Sequence, residues 1–385
     1  MRISIFSRSI PVHTVGGMEL VCWNLAKQFV KKGHHVEIIT TSIPTRPKPF
    51  EEEGIRIKPL AETKEGKYSK AWWDKSAEYF QTIETDIIFS ISAGAYGLLP
   101  YKSDSKIPFV LQIHGTSWGE ILAKFRTKNP YQWIRSIKNF CRLPVDLFTI
   151  PKFDTLVAVG PRVTQDLQKF PFNIVLDSKK ITTITNGIDT DFFKVCDRNT
   201  KSQLRDILGL PQNSKILITT SRLHSQKGIE NILHSFSILL KERKDLNLVV
   251  VGDGPNRENL ERLCCNLEIS ENVIFTGLLS QSKLAKFLNS SDLFIFLTSH
   301  REGLPLNVLE ALSSSLNCII SEHLELFESR MIHKINPKDF RKVSEKISYL
   351  LGQEKAIISP IPENYTLDHS ADQYLQLFES LRSNH

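Results

Sequence analysis

The stretch Lys215-Ile216-Leu217-Ile218-Thr219-Thr220-Ser221-Arg222-Leu223-His224-Ser225-Gln226-Lys227-Gly228 decides the fold. Its first six residues are a short apolar run without alternation, as in strands covered on both faces. After Gly228, the segment Ile229–Lys241 places Ile232, Leu233, Phe236, Leu239 and Leu240 at helical spacing. Leu246–Val251 is a second buried-strand run. Strand, loop, helix and strand in that order make a right-handed crossover unit of a parallel sheet.

The same alternation extends outward in both directions. Downstream lie Val273–Thr276, Leu293–Leu297 and Asn317–Ser321; upstream lie Ile3–Phe6, His35–Thr41, Asp86–Ile91, Phe109–Ile113 and Thr155–Val159. Met18–Lys31 reads as a helix carrying Leu20, Val21, Leu25, Ala26 and Phe29, with Gly33 as its stop. Alternation over about 1–185 and again over about 213–355 predicts two doubly wound α/β domains. Asn186-Gly187-Ile188-Asp189 closes the first run, and the polar stretch Asp197–Gln203 follows; the hinge is expected there. The last twenty residues read as an amphipathic helix with Tyr374, Leu375, Leu377, Phe378 and Leu381.

Composition narrows the class. The 385 residues are 41% hydrophobic and 24% charged, enough apolar matter for large cores and too much for a mainly disordered chain. No run of about 18 apolar residues offers a membrane span. The start, Met1 to Phe6, reads as a first strand rather than a secretory leader. Six cysteines at 22, 141, 196, 264, 265 and 318 form no Cys-x-x-Cys pair and no zinc spacing, so reduced thiols in the cytoplasm are expected. Net charge is +7, and it is uneven. Residues 1–190 hold 26 Lys+Arg against 18 Asp+Glu, while 191–385 hold 23 against 24. A basic first half suits an anionic lipid surface or phosphorylated acceptor. No nucleic-acid recognition motif accompanies it.

In open α/β sheets ligands sit at the carboxyl ends of strands. Four loops there carry unusual residues, with a Gly-x-Gly turn beside the third. Val15-Gly16-Gly17-Met18-Glu19 joins paired glycines to a helix start, which suits close approach to an anion. It is not Gly-x-Gly-x-x-Gly, which disfavours a nicotinamide oxidoreductase. Gln112-Ile113-His114-Gly115-Thr116 puts a histidine at a strand end, where it can bond a substrate hydroxyl or meet a forming charge. In the opening stretch, Arg222 and Lys227 combine a planar fork of donors with a point charge, a match for a diphosphate. Val251-Gly252-Asp253-Gly254-Pro255 is a tight turn that a ligand can share. Last comes Arg301-Glu302-Gly303-Leu304-Pro305-Leu306-Asn307-Val308-Leu309-Glu310-Ala311. Glu302 falls in a loop and Glu310 eight residues on, about two turns down a helix; two such acceptors can hold hydroxyls at two parts of a polyhydroxylated ligand.

Taken in order, Gly16-Gly17, His114-Gly115, Asn186-Gly187-Ile188-Asp189, Ser221-Arg222 with Lys227-Gly228, Val251 to Pro255 and the Glu302/Glu310 element resemble the family 4 retaining glycosyltransferases, glycosyl transferases group 1. The resemblance covers nearly the whole chain. It implies the GT-B fold: two Rossmann-like domains facing a cleft, here 1–190 on the acceptor side and 191–362 for the nucleotide sugar, with a C-terminal helix at 363–385 returning to the first domain. It implies transfer from a nucleotide-sugar donor of unassigned base, with retention and without an obligatory metal or other cofactor. By that resemblance, His114 and Glu302 are catalytic: His114 contacts the donor sugar, and Glu302 holds its hydroxyls. Arg222 and Lys227 neutralise the leaving diphosphate, Glu310 binds the ribose, and Gly16, Gly17 and Asn186 complete the donor site. The pattern departs after the Glu302/Glu310 helix. Where the family runs Ala-x-Gly-x-Pro and then Gly-Gly-x-x-Glu, this chain has Ser313-Ser314-Ser315-Leu316-Asn317 and Leu324-Glu325-Leu326-Phe327-Glu328. A different donor, a remodelled loop or weakened activity would follow, and a non-catalytic partner or regulatory protein of the same shape is the rival reading. A nucleotide-sugar isomerase on a similar scaffold is the other.

Residues 121–145 contain Lys124, Arg126, Lys128, Arg135, Lys138 and Arg142 and no acid, interleaved with Phe125, Tyr131, Trp133, Ile134, Ile137 and Phe140. A basic, aromatic, amphipathic segment suits a membrane interface. In the acceptor-side domain it points to a glycan or lipid-linked acceptor in polysaccharide, lipopolysaccharide or glycolipid synthesis, on the cytoplasmic face of the membrane.

Overall fold

The computed structural model describes residues 1–14, 16–125, 130–299, 302, 304–353 and 361–384, the side chains of 123–125, 130–138 and 384 excepted. The chain forms two compact units, Met1–Gly187 with Asn364–His385, and Ile188–Glu363.

The sheet of the first unit contains β1 (Arg2–Phe6), β2 (His35–Thr41), β3 (Phe50–Glu52), β4 (Ile55–Leu60), β5 (Ile87–Ile91), β6 (Phe109–Ile113), β7 (Thr155–Ala158) and β8 (Ile181–Thr183). Their order is β3-β4-β2-β1-β5-β6-β7-β8. All neighbours are parallel except β3 and β4, an antiparallel edge hairpin. The chain reverses its direction of travel across the sheet between β1 and β5, where Ile3 pairs with Ile87. One core cluster joins Phe6, Ile39, Trp72, Phe109 and Phe153.

The second unit contains β9 (Lys215–Thr220), β10 (Leu246–Val251), β11 (Val273–Gly277), β12 (Leu293–Phe296), β13 (Asn317–Ser321) and β14 (Ile332–Ile335). The order β11-β10-β9-β12-β13-β14 is wholly parallel, the doubly wound arrangement in which the strand order reverses between β9 and β12. Leu217, Phe236, Leu248, Ile295 and Ile347 share its core.

All ten expected strands are present, within a residue at either end. Four strands escaped the apolar-run criterion. Ile55–Leu60 alternates instead, with Arg56 exposed and Ile57 buried, and β3, β8 and β14 are three- or four-residue strands with little burial. The turn between β3 and β4 is Glu53-Gly54 with φ of 53° and 76°, a conformation glycine favours. Within the stretch expected to hold the hinge, the polar run Asp197–Gln203 forms the start of a helix. Asp197 caps Arg198–Leu208 by accepting from the Thr200 amide at 2.8 Å, and Gly209 at φ 66° ends it. The unit boundaries fall at 187/188 and 363/364.

The helix Leu367–Asn384 lies in the first unit. Its Tyr374 and Phe378 rings meet Phe29 and Phe89 at centroid distances of 5.2–6.3 Å. Asp368 and Asp372 both pair with Lys32, at 2.8 and 2.7 Å. Of the basic segment, Lys124, Phe125, Arg126, Lys128, Tyr131, Trp133, Ile134, Arg135, Ile137 and Lys138 lie outside the described side chains. At its described end Phe140, Arg142, Val145 and Phe148 are exposed.

Candidate active site

In the second unit the candidate loops leave β9 and β12, the two strands that flank the reversal of order. The loop after β9 is fixed by glycines whose missing side chains make room for backbone. A Cβ on Gly228, itself at φ 66°, would lie 1.9 Å from the Leu297 carbonyl oxygen; one on Gly252 would lie 2.0 Å from that of Ser221; one on Gly254 would lie 2.4 Å from that of Leu223. The Gly-Asp-Gly turn after β10 therefore backs the Arg222 loop, while Lys227-Gly228 packs on the end of β12. Gln226 completes the tie by accepting from the Thr298 hydroxyl at 2.9 Å and from the Ser299 amide at 3.1 Å.

This packing brings Lys227 and Glu302 together across 75 residues of sequence. Lys227 Nζ donates to Glu302 Oε1 at 2.7 Å, with both side chains largely shielded. Thr298 Oγ1 approaches the same carboxylate oxygen at 3.4 Å. Lys227 also sits 5.8 Å from the Phe296 ring centroid. The two cations expected to meet a diphosphate are thus one exposed arginine, Arg222, and one lysine held by a carboxylate. Glu310 lies in the helix Leu306–Ser313, its fifth residue and so only about one turn from the start. Burial pushes its carboxyl up to about 7. Asn307 anchors the helix start by donating to the Thr220 carbonyl at 2.6 Å, tying it to β9.

The departure at Leu324-Glu325 is absorbed locally. Leu324 is buried at 1% exposure, Glu325 is exposed, and neither takes a positive φ, so the turn does not demand glycine.

In the first unit, His114 follows β6 directly. Gln112 and His114, two residues apart along the strand direction, point to the same side. Gln112 Nε2 donates to Tyr374 Oη at 2.6 Å, which leaves its Oε1 to accept from His114 Nε2 at 2.8 Å. The imidazole therefore carries its proton on Nε2 and presents Nδ1 as an acceptor. Burial holds its pKa down to about 4, so it is neutral near pH 7. Neither Gln112 nor Tyr374 was expected in the site; the period-two spacing of Gln112 and His114 was the available signal.

Gly16 and Gly17 differ in surroundings. A Cβ on Gly16 would lie 2.5 Å from Glu19 Oε2, whereas Gly17 is open. Glu19 is buried, accepts from Ser9 Oγ at 2.9 Å and occupies the helix start that the sequence suggested for a ligand anion. Asn186 is buried, and its Oδ1 has no partner among the described residues. Gly187 is glycine because a Cβ would lie 2.2 Å from the Thr366 carbonyl oxygen.

His114 also lines a cavity of about 260 Å³ at the carboxyl ends of β1, β5 and β6. Arg8, Tyr68, Ser92, Tyr96, Arg142 and Asp146 share it. Arg8 lay outside the sequence expectations, since a single arginine in a loop carries no pattern.

Sequence models of two families match, one for each half: Glycosyltransferase Family 4 over residues 15–192 and Glycosyl transferases group 1 over residues 200–355. The N-acetyl-alpha-D-glucosaminyl L-malate synthase of Bacillus anthracis is 28% identical over 315 residues, 80% of this chain and 76% of the relative. The alpha-monoglucosyldiacylglycerol synthase of Streptococcus pneumoniae is 28% identical over 324 residues, 82% of this chain and 69% of the relative. Among solved structures, the sucrose-phosphate synthase of Thermosynechococcus elongatus superposes over 100% of both chains with a TM-score of 0.80 at 16% identity, a likeness of fold. With two doubly wound sheets, the Lys227–Glu302 pair at the strand-order reversal of the second, and both halves matched, the chain belongs to the group 1, family 4 glycosyltransferases and is a hexosyltransferase of the GT-B fold.

Proposed function

We propose that the protein moves a hexosyl unit from a nucleotide-sugar donor to a hydroxyl of a glycan or lipid-linked acceptor, with retention at the anomeric carbon. The carrying observation is the Lys227–Glu302 pair at the strand-order reversal of the second sheet, with Arg222 on the same loop. As the glycosidic bond breaks, charge grows on the diphosphate oxygens, and cations fixed by a rigid loop stabilise it without reorganising. Lys227 and Arg222 fill that role in place of an obligatory metal. In the ligand-free site Glu302 is the counter-ion of Lys227. An entering diphosphate takes over Lys227, and the released Glu302 oxygens accept from the hydroxyls of the sugar. Glu310 accepts from the ribose. His114 offers neutral Nδ1 to the donor sugar, and Asn186 offers its unpartnered Oδ1.

The relatives' names describe products built on L-malate and on diacylglycerol, which supports a small polar or a lipid acceptor. A lipid acceptor agrees with the exposed Phe140, Val145 and Phe148 beside Arg142, and with peripheral binding at the cytoplasmic face, as in synthesis of surface polysaccharide, lipopolysaccharide or glycolipid. Flotation with anionic liposomes at low salt tests that part; absence from the lipid fraction removes it.

The main test is a thermal-shift screen of UDP, GDP and ADP with their hexose derivatives, since a ligand that binds the folded state raises its stability. With the donor in hand, Glu302→Gln and Lys227→Ala each lower turnover about 100-fold or more. Near-normal rates in both would contradict the assignment. Proton NMR of the first product reports the anomeric outcome.

A further inference from the structure

We propose that the cavity of the first unit is an oxyanion site in which Arg8 holds a phosphate or carboxylate carried by the acceptor. The inference rests on the glycosyl-transfer reading and adds the chemical class of the acceptor.

The surroundings of Arg8 suit an anion. Its backbone is fixed, because its carbonyl accepts from Thr41 Oγ1 at 2.6 Å and the flanking Ser7 and Ser9 are buried. Its guanidinium carbon stands 5.3 Å from the Tyr68 ring centroid. Tyr68 stacks on Trp73 at 5.1 Å, and Trp73 stacks on Tyr96 at 6.1 Å, so the cation rests on a rigid aromatic pile. The Nε of Arg8 is buried and has no hydrogen-bond partner among the described residues. A buried guanidinium N–H without an acceptor is a costly arrangement that a ligand oxygen relieves.

The acids of the cavity do not supply that oxygen. Asp146 accepts from Ser117 Oγ and from Tyr96 Oη, and Glu120 accepts from Asn139 Nδ2 at 2.9 Å. None of these contacts is with Arg8. Among the described residues no carboxylate pairs with Arg8 or with Arg142, the second guanidinium on the rim. The volume, about 260 Å³, suits a head group rather than a large ligand. His114 lines the same cavity. An acceptor whose anionic group engages Arg8 therefore presents its hydroxyls in the compartment that His114 borders. A phosphate ester of a small polyol, a hydroxy-carboxylate, or the head group of an anionic lipid all meet these terms.

The test is calorimetric titration of the full-length protein with sn-glycerol 3-phosphate, with L-malate and with glycerol. The two anions bind, and glycerol at equal concentration does not. Arg8→Gln weakens the anions at least tenfold, and Arg8→Lys, which keeps charge but loses the fork, falls between. If Arg8→Gln does not fold, Arg8→Lys alone carries the comparison. Sedimentation with phosphatidylglycerol and phosphatidylcholine vesicles separates the sources: Arg8-dependent retention on phosphatidylglycerol assigns the anion to a lipid, and Arg8-dependent binding of the soluble anions alone assigns it to a small molecule. Glycerol binding as tightly as its phosphate overturns the proposal. So does an anion isotherm unchanged by both substitutions, which would place the anion on Arg222 and Lys227. Titration with UDP and GDP is a separate arm; failure there removes the donor reading and leaves the anion site to its own isotherms.

Discussion

Burial lifts the Glu310 carboxyl from its ordinary 4.5 to about 7. Between those values the folded protein keeps a proton that the unfolded chain has released, so this group's contribution to stability falls as pH rises through that window. Glu310→Gln should therefore match the native protein in denaturant midpoint near pH 4 and exceed it near pH 8. In the proposed role the same carboxyl must be ionised to accept best from ribose. Nucleotide affinity should rise about tenfold from pH 6 to pH 8, and flatten in Glu310→Gln; a flat native profile would remove Glu310 from the nucleotide site. His114 has the opposite sign. Its pKa drops from 6.5 to about 4, so the unfolded chain binds the extra proton in that interval, and the stability it contributes above pH 6.5 is lost as pH falls toward 4. Tyr374 acts on this group through Gln112. With Tyr374→Phe the amide can turn over and offer its NH₂ to the ring, which selects the other tautomer. Turnover should fall, and the nitrogen-15 signals of His114 should show protonation moving from Nε2 to Nδ1; unchanged signals would leave Tyr374 with a packing role only.

At the scale of elements, the helix Leu306–Ser313 ends in a Schellman arrangement. The Leu316 amide donates to the Ala311 carbonyl and the Ser315 amide to that of Leu312, with Ser315 at φ 58°. Ser315 stands where the family pattern has glycine, and an L-residue in the left-handed region costs about 1 kcal/mol. Ser315→Gly should raise stability by up to about 1 kcal/mol in urea denaturation, net of the hydroxyl contacts it gives up; a loss would mean that those contacts outweigh the backbone strain. This also shows what was legible. Helix and strand positions followed from apolar spacing in Leu217, Phe236 and Leu248, because two-sided burial leaves a continuous apolar record. The edge strands Ile181–Thr183 and Ile332–Ile335 left none, being short and mostly unburied. Asp197–Gln203 looked like linker because its helix is polar, and only its cap and Gly209 marked it.

At the scale of the molecule, the residues of the site were readable singly and their partnerships were not. Lys227 and Glu302 are 75 positions apart, and only the strand order that sets β12 beside β9 makes them neighbours. Tyr374 reaches Gln112 across 262 positions because the last helix belongs to the first unit. Removing residues 364–385 should strip cover from Phe29 and Phe89. Hydrogen exchange should then quicken in the helix Gly17–Lys31 and in β5 while β9 and β10 keep their protection; equal loss in both units would show that the two do not unfold independently.

Because the first unit is closed by residues 364–385, the second unit is in effect an insertion between its two pieces. During synthesis this orders events: the sheet of residues 1–187 leaves the ribosome first, and the helix that covers Phe29 and Phe89 follows only after the whole of residues 188–363. A chain stalled before residue 364 would carry an uncovered, aggregation-prone first sheet, and chaperone capture of nascent chains should concentrate on the unit that was synthesised first.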